Sequence, residues 1–242
     1  MINPSISTGV EALSNLYNSA PNYPHIVLDD FLDETVAQTM AQQLWYLANN
    51  VEQEEWRWNH KDWHNDQVLK MGISDIEKMP DITQLVVNYF NGEQFLEFLQ
   101  KLTGFEDLQA DYTLRGGGVH ATGRNGKLNV HNDFNFMKDL DGNKVYRKVN
   151  LLIYFNQNWQ KEWGGELELW EPSLENCFKV IDIIFNRAVI FNIENAPHGH
   201  PDPLTCPPGE TRRSLAFYYY SKKYQNEKDL ERAYWKYDKK LL

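Results

Sequence analysis

Residues 187–220 read RAVIFNIENAPHGHPDPLTCPPGETRRSLAFYYY. A short β-rich run, 187–193, leads to a histidine pair, His198 and His200. A turn signal, PPGE at 207–210, follows, and a second run rich in Phe and Tyr spans 213–220. Upstream, further short β-rich runs occupy 108–115, 128–131, 147–155, 165–170 and 178–183. Turn signals separate them: GGG at 116–118, GRNG at 123–126, DLDGN at 139–143 and GG at 164–165. Many short strands at such spacing argue a sandwich or barrel-like β fold.

Before residue 108 the texture is helical. PHIVLDDFL at 24–32 reads as a short strand and turn. From Asp33, a plausible N-cap, Val36, Met40, Leu44 and Leu47 form an apolar stripe to about residue 50. Helices also read over 81–91 and 93–102, interrupted by Gly92 and ended by Gly104. Helices first and strands later predict helices packed on the outside of a β core. Residues 1–23 read as a loose N-terminal arm, and 24–242 as a single domain with helical support over about 33–103 and a β core over about 108–221. Residues 51–79, rich in Trp and charge, lack a period, and a loop of that length is often a functional lid. The tail KDLERAYWKYDKKLL reads as a charged terminal helix.

The chain has 242 residues, 14 % aromatic, with a net charge of −10. That aromatic content excludes disorder as the main state. The acidic balance and the lack of a dense Lys/Arg block argue against a nucleic-acid partner. Two cysteines, Cys177 and Cys206, are too few for a disulfide framework and fit a reducing, cytoplasmic location. The first residues have neither a basic nor an apolar region of a signal peptide, and no apolar run suits a membrane span.

Chemistry concentrates in three places. In the strand-like KLNVHND, side chains at i and i+2 share a face, so His131 and Asp133 suit one metal ion. His198 or His200, 65 or 67 residues beyond Asp133, supplies a third ligand. Two histidines and a carboxylate form a facial triad that leaves positions open on ferrous iron for a co-substrate and oxygen. Arg212 and Ser214 share a face of the last strand, and a guanidinium with a hydroxyl suits the carboxylate of a bound acid.

Three stretches in this order resemble the prolyl-4-hydroxylase-like branch of the Fe(II)/2-oxoglutarate dioxygenases. They are RGGGVHATGRNGKLNVHNDFN, RKVNLLIYFNQNWQKEWGGELELWEP and the segment from Arg187 to Ser221. PHIVLDDFLDETVAQTMAQQL is similar to the strand and helix that open that family's domain.

The resemblance implies a mainly β fold with packed helices, on a double-stranded β-helix (jelly-roll) core. It implies His131, Asp133 and His198 as the catalytic metal ligands, with His200 as the rival. It implies Arg212, Ser214 and Tyr154 as the grip on the far carboxylate of 2-oxoglutarate. His120 falls near a position that faces substrate or co-substrate. Trp58, in the Trp-rich loop, is a second substrate-facing candidate. The implied cofactors are Fe(II), 2-oxoglutarate and O2, with ascorbate as a candidate reductant. The implied reaction is hydroxylation of a C–H bond, with release of succinate and CO2. Its expected target is a prolyl residue in a protein or peptide, the alternatives being a free amino acid or other small molecule, or a non-catalytic binding module. A carboxylate at 133 disfavours halogenation, for which a small residue there would free a site for halide.

Overall fold

The computed structural model describes residues 1–50 and 67–223 and the backbone of 234–235. Among the described residues the α-helices are α1 (Pro4–Thr8), α2 (Val10–Asn18), α3 (Glu34–Asn50), α4 (Asp81–Asn91) and α5 (Glu93–Thr103). The strands are β1 (His25–Leu28), β2 (Gln67–Ile73), β3 (Gln109–Ala110), β4 (Gly118–Asn132), β5 (Phe136–Lys138) and β6 (Lys144–Tyr154). They continue as β7 (Leu167–Trp170), β8 (Cys177–Ile181), β9 (Ala188–Asn192), β10 (His198–His200), β11 (Thr211–Ser221) and β12 (Tyr234–Trp235).

Local signals explain the helices. The Asp33 carboxylate accepts from the backbone N–H of Thr35 at 3.0 Å, capping α3. Ala37, Met40, Leu44 and Leu47 then bury one stripe. Gly92 separates α4 from α5 in extended conformation, and Gly104 ends α5 in the left-handed region at φ 82°.

The twelve strands form one sheet, with the path β1-β9-β6-β11-β4-β10-β7-β8. β2 and β12 also pair with β4, β3 with β11, and β5 with β6. All these pairings are antiparallel. The sheet curls into the jelly roll, mainly β with packed helices. β4 is its hinge. Its first part pairs with β11 from Gly118 to Gly123, and its last part pairs with β10 at His131 and Leu128.

Strand alternation sorts the side chains into two compartments. Leu151 and Ile153 of β6, Ala188 and Ile190 of β9, and Leu215, Phe217 and Tyr219 of β11 face the helices. They pack there with Phe31, Phe90, Phe95 and Leu99. Tyr154, Val189 and Phe191 turn the other way, toward Leu167, Leu169 and Ile181 inside the curl. The site lies on this inner face.

Three expectations are corrected. Residues 4–18, expected as part of a loose arm, are α1 and α2, and Ile6 and Tyr17 are buried in the helix-side core. Residues 67–73, expected as part of a structureless loop, are strand β2 on the edge of β4. The stretch expected as a strand over 108–115 is only the two-residue β3. The expected terminal helix lies outside the described residues except for Tyr234–Trp235, whose backbone pairs with Asn132 and His131. Among the described residues no helix is long and apolar enough to cross a membrane.

Candidate active site

His131 is the penultimate residue of β4, Asp133 follows that strand, and His198 begins β10. The antiparallel pairing sets His198 directly opposite His131. Their rings lie 4.7 Å apart between centroids. His131 Nε2 is 3.5 Å from Asp133 Oδ1, and His198 Nε2 is 3.6 Å from Oδ2. One donor atom from each residue lies within 4.8 Å of the others. His200 is not part of this cluster.

The orientation is built in. His131 Nδ1 meets the carbonyl of Asn129 at 2.8 Å, and His198 Nδ1 meets that of Ala196 at 2.9 Å. A carbonyl can only accept, so each Nδ1 carries the proton and each Nε2 lone pair faces Asp133. Asp133 Oδ2 accepts from Asn150 Nδ2 at 2.9 Å and pairs with Arg147 Nη2 at 2.9 Å. Arg147 Nε also donates to Asn150 Oδ1 at 2.8 Å, and its guanidinium stacks 3.3 Å from the Tyr218 ring centroid.

Burial raises the Asp133 carboxyl, but the neighbouring charge of Arg147 outweighs it and holds it well below the usual carboxylate range. Burial pushes His198 down to about 4, against the pull of Asp133. An ionised carboxylate and a neutral imidazole are the forms a metal requires. Two imidazole Nε2 atoms and one carboxylate aimed at one point fit a divalent ion.

A second group lies on the neighbouring strands. Directly paired residues of an antiparallel sheet point to one face. His120 of β4, Ser214 of β11 and Tyr154 of β6 are paired in one row. Lys70 of β2, Thr122 of β4 and Arg212 of β11 form the next. Arg212 Nε donates to the Gly165 carbonyl at 2.8 Å, and its Nη2 to the Tyr154 hydroxyl at 3.1 Å. Gly165 sits at φ 87°, and a Cβ there would meet Leu204 Cδ2 at 2.6 Å and Arg212 Cδ at 3.2 Å. Only glycine lets the guanidinium lie against this turn. Burial pushes the Lys70 ammonium down to about 8, with Asp133 opposing and Arg212 and Arg147 assisting. Burial likewise holds His120 well below the ordinary histidine value, helped by the charges of Lys70 and Arg212.

The structure thus gathers His131, Asp133 and His198 at one corner, and Arg212, Ser214, Tyr154 and His120 on adjoining strands. Trp58 lies outside the described residues. Sequence reasoning missed Lys70, Arg147 and Asn150. On a regular strand Arg147 and Asn150 would point to opposite faces. Here one step on β11, from Tyr219 to Tyr220, spans two on β6, from Val149 to Arg147. That bulge turns Arg147 to the side of Asn150. Lys70 follows Leu69, held at φ 47° at another break in register.

Residues 117–220 match the family model described as the 2OG-Fe(II) oxygenase superfamily. Over those residues this chain is similar to the 2OG-Fe(II) oxygenases. Oxygenases of this family use Fe(II), 2-oxoglutarate and O2, and the His131–Asp133–His198 cluster lies within the matched span. A Trichoplax adhaerens prolyl hydroxylase, solved with a hypoxia inducible factor oxygen degradation domain peptide fragment, is similar at TM-score 0.62 and 19 % identity, over 90 % of this chain and 94 % of that chain. A Pseudomonas putida prolyl-4-hydroxylase is similar at 0.58 and 15 %, over 87 % and 98 %. Streptomyces hygroscopicus HygX, solved with nickel and 2-oxoglutarate, is similar at 0.54 and 11 %, over 90 % of each chain. These likenesses establish the fold. No curated protein sequence matches this chain.

Proposed function

We propose that this chain is an oxygenase that hydroxylates a prolyl residue in a protein or peptide, in the cytoplasm, with 2-oxoglutarate converted to succinate and CO2. The observation that carries the reaction class is the His131–Asp133–His198 cluster on the same inner face as Arg212 and Tyr154. The fold shared with two prolyl hydroxylases supports the prolyl target. The fold shared with HygX favours a second reading, the same chemistry on a small molecule. Cys177 and Cys206, which form no disulfide among the described residues, support the cytoplasmic reading.

In this reading His131 Nε2, His198 Nε2 and an Asp133 oxygen hold iron. Bound iron and 2-oxoglutarate supply the oxidation that puts an oxygen atom into the C–H bond. The protein supplies placement. The Asn129 and Ala196 carbonyls fix the two rings, and Arg147 and Asn150 fix the carboxylate. Arg212, squared against Gly165 and Tyr154, grips the far carboxylate of 2-oxoglutarate, with Ser214 beside it. Burial of both groups keeps water from competing for these contacts.

The test is an anaerobic titration of metal-free protein with Fe(II) and then 2-oxoglutarate. A visible metal-to-ligand charge-transfer band that needs both additions, and is absent in Asp133→Ala, is the expected result. No band in well-folded protein overturns the reaction class and favours a non-catalytic binding module. With the band in hand, succinate release above background is measured against proline-containing peptides and free amino acids. Stimulation by a peptide and not by free amino acids is expected, and the reverse moves the assignment to the small-molecule reading.

A further inference from the structure

His200 follows His198 by two residues on β10 and lies outside the metal-ligand cluster. It is 3 % exposed, and among the described residues neither of its ring nitrogens has a hydrogen-bond partner. Three other buried imidazoles are tied down by the carbonyl two residues earlier: His25 by Tyr23, His131 by Asn129 and His198 by Ala196. His200 lacks that tie. A leucine would fill such a place without burying an unpaired polar ring, so the imidazole needs a partner that arrives from outside.

Its position says which partner. A Cβ on Gly199 would meet the carbonyl oxygens of Leu128 and Asn129 at 2.8 and 2.9 Å. β10 is therefore pressed flat on β4 at Gly199, and the residues on either side, His198 and His200, turn away from that contact toward the interior. The groups that act on the His200 ring electrostatically are, in order, Arg212, Lys70, His131 and His120. Arg212 leads that order, so the ring lies within electrostatic reach of both the acid anchor and the metal corner.

We infer that His200 is a co-substrate contact, donating a hydrogen bond from its ring to the far carboxylate of 2-oxoglutarate beside Arg212. This rests on the assignment of Arg212 as the anchor. A neutral donor next to a guanidinium satisfies a second lone pair of the carboxylate and leaves the charge pairing to Arg212. It also places a size and polarity check where an apolar side chain would accept a shorter or uncharged acid.

The experiment uses the full chain and binding alone. Fe(II) affinity and 2-oxoglutarate affinity are measured anaerobically for wild type, His200→Leu, His200→Gln and Arg212→Ala. 2-Oxopentanoate, with a methyl in place of the far carboxylate, is the comparison acid. In His200→Leu the 2-oxoglutarate dissociation constant rises about tenfold, while Fe(II) affinity stays within about twofold. His200→Gln, which keeps a donor, recovers most of the loss. 2-Oxopentanoate binds wild type and His200→Leu equally weakly. Without ligand, His200→Leu melts at or above wild type, because the unpaired ring is gone.

Unchanged 2-oxoglutarate affinity in His200→Leu overturns the inference. A primary substrate that weakens while 2-oxoglutarate does not also overturns it, and moves the contact to a substrate acid. Collapse of Fe(II) affinity in both His200 variants overturns it by making His200 a ligand. Unchanged affinity in Arg212→Ala instead sinks the anchor assignment on which it rests.

Discussion

At the metal corner, His131 and His198 each commit one ring nitrogen to a backbone carbonyl, and Asp133 is held by Asn150 and Arg147. At the acid anchor, Arg212 is braced by Gly165 and Tyr154, while His200 stands with no partner among the described residues. Both corners are buried, and both bear charge. The difference lies in what completes them. The metal corner has its orientation settled by the chain itself, so that three donor atoms converge before any ion arrives. In the proposed reading, the anchor holds donors whose remaining capacity an acid would fill. Such a division separates a rigid ligand set from a selective one, and the two corners should fail in different ways.

The largest effect is expected from the ligands. His131→Ala, Asp133→Ala and His198→Ala each drop activity to background and abolish the charge-transfer band, since two donors cannot hold the ion in place. Folding is followed by circular dichroism. An active His198→Ala variant would remove that ring from the set. Next comes Arg212→Ala, which should weaken 2-oxoglutarate by roughly a hundredfold through loss of a charged, two-bond grip. Iron affinity should barely move, because the guanidinium makes its bonds to Gly165 and Tyr154 and none to the ligands. Equal weakening of metal and acid would erase the distinction between the corners.

Arg147→Met sharpens the same contrast from the metal side. The substitution keeps volume over Tyr218 and leaves the Asp133 charge without its cation. Breaking a buried pair in this way costs about 3–5 kcal/mol. Much of that cost should return once a divalent ion neutralises the carboxylate. The melting temperature of metal-free protein should therefore fall more than that of the Mn(II)-loaded protein. By linkage, metal affinity should then hold or rise, since the ion restores in the loaded state what the metal-free state has lost. A fall of equal size in both states would mean that Arg147 supports the fold and not Asp133.

Parts of this were legible in the residues. His131 and Asp133 sit at i and i+2, and the fold delivers His198 to them because β10 pairs with the end of β4. The caps and stripes of α3, α4 and α5 are local, and local signals survive in sequence. The histidine pair at 198 and 200 could not be resolved by spacing, since both rings take the same side of a strand; the cluster, closed by His198, separates them. Arg147 and Lys70 were hidden for a different reason. Each sits beside a break in strand register, and alternation read from the sequence assigns the wrong face across a bulge. The opening helices had a signal that went unread. Ile6, Val10, Leu13 and Tyr17 recur at helical spacing, with Pro4 at the first turn behind an Asn3 cap.

The smallest expected effect is a slope. His120 lies in the anchor row opposite Ser214, where burial first, then the Lys70 and Arg212 charges, keep its ring neutral. In the unfolded chain the same ring protonates near pH 6.5. Below that pH the unfolded state binds a proton that the folded state refuses, so stability is fully present above about 6.5 and is lost as pH falls. One such ring contributes up to about 1.4 kcal/mol per pH unit. His120→Gln should therefore give metal-free protein a flatter stability profile between pH 6.5 and 5, whatever its stability at pH 7. An unchanged slope would mean that the folded ring takes up its proton beside Lys70 and Arg212 after all. In that case the anchor would be wet, and its cations would be screened by water instead of held for an acid.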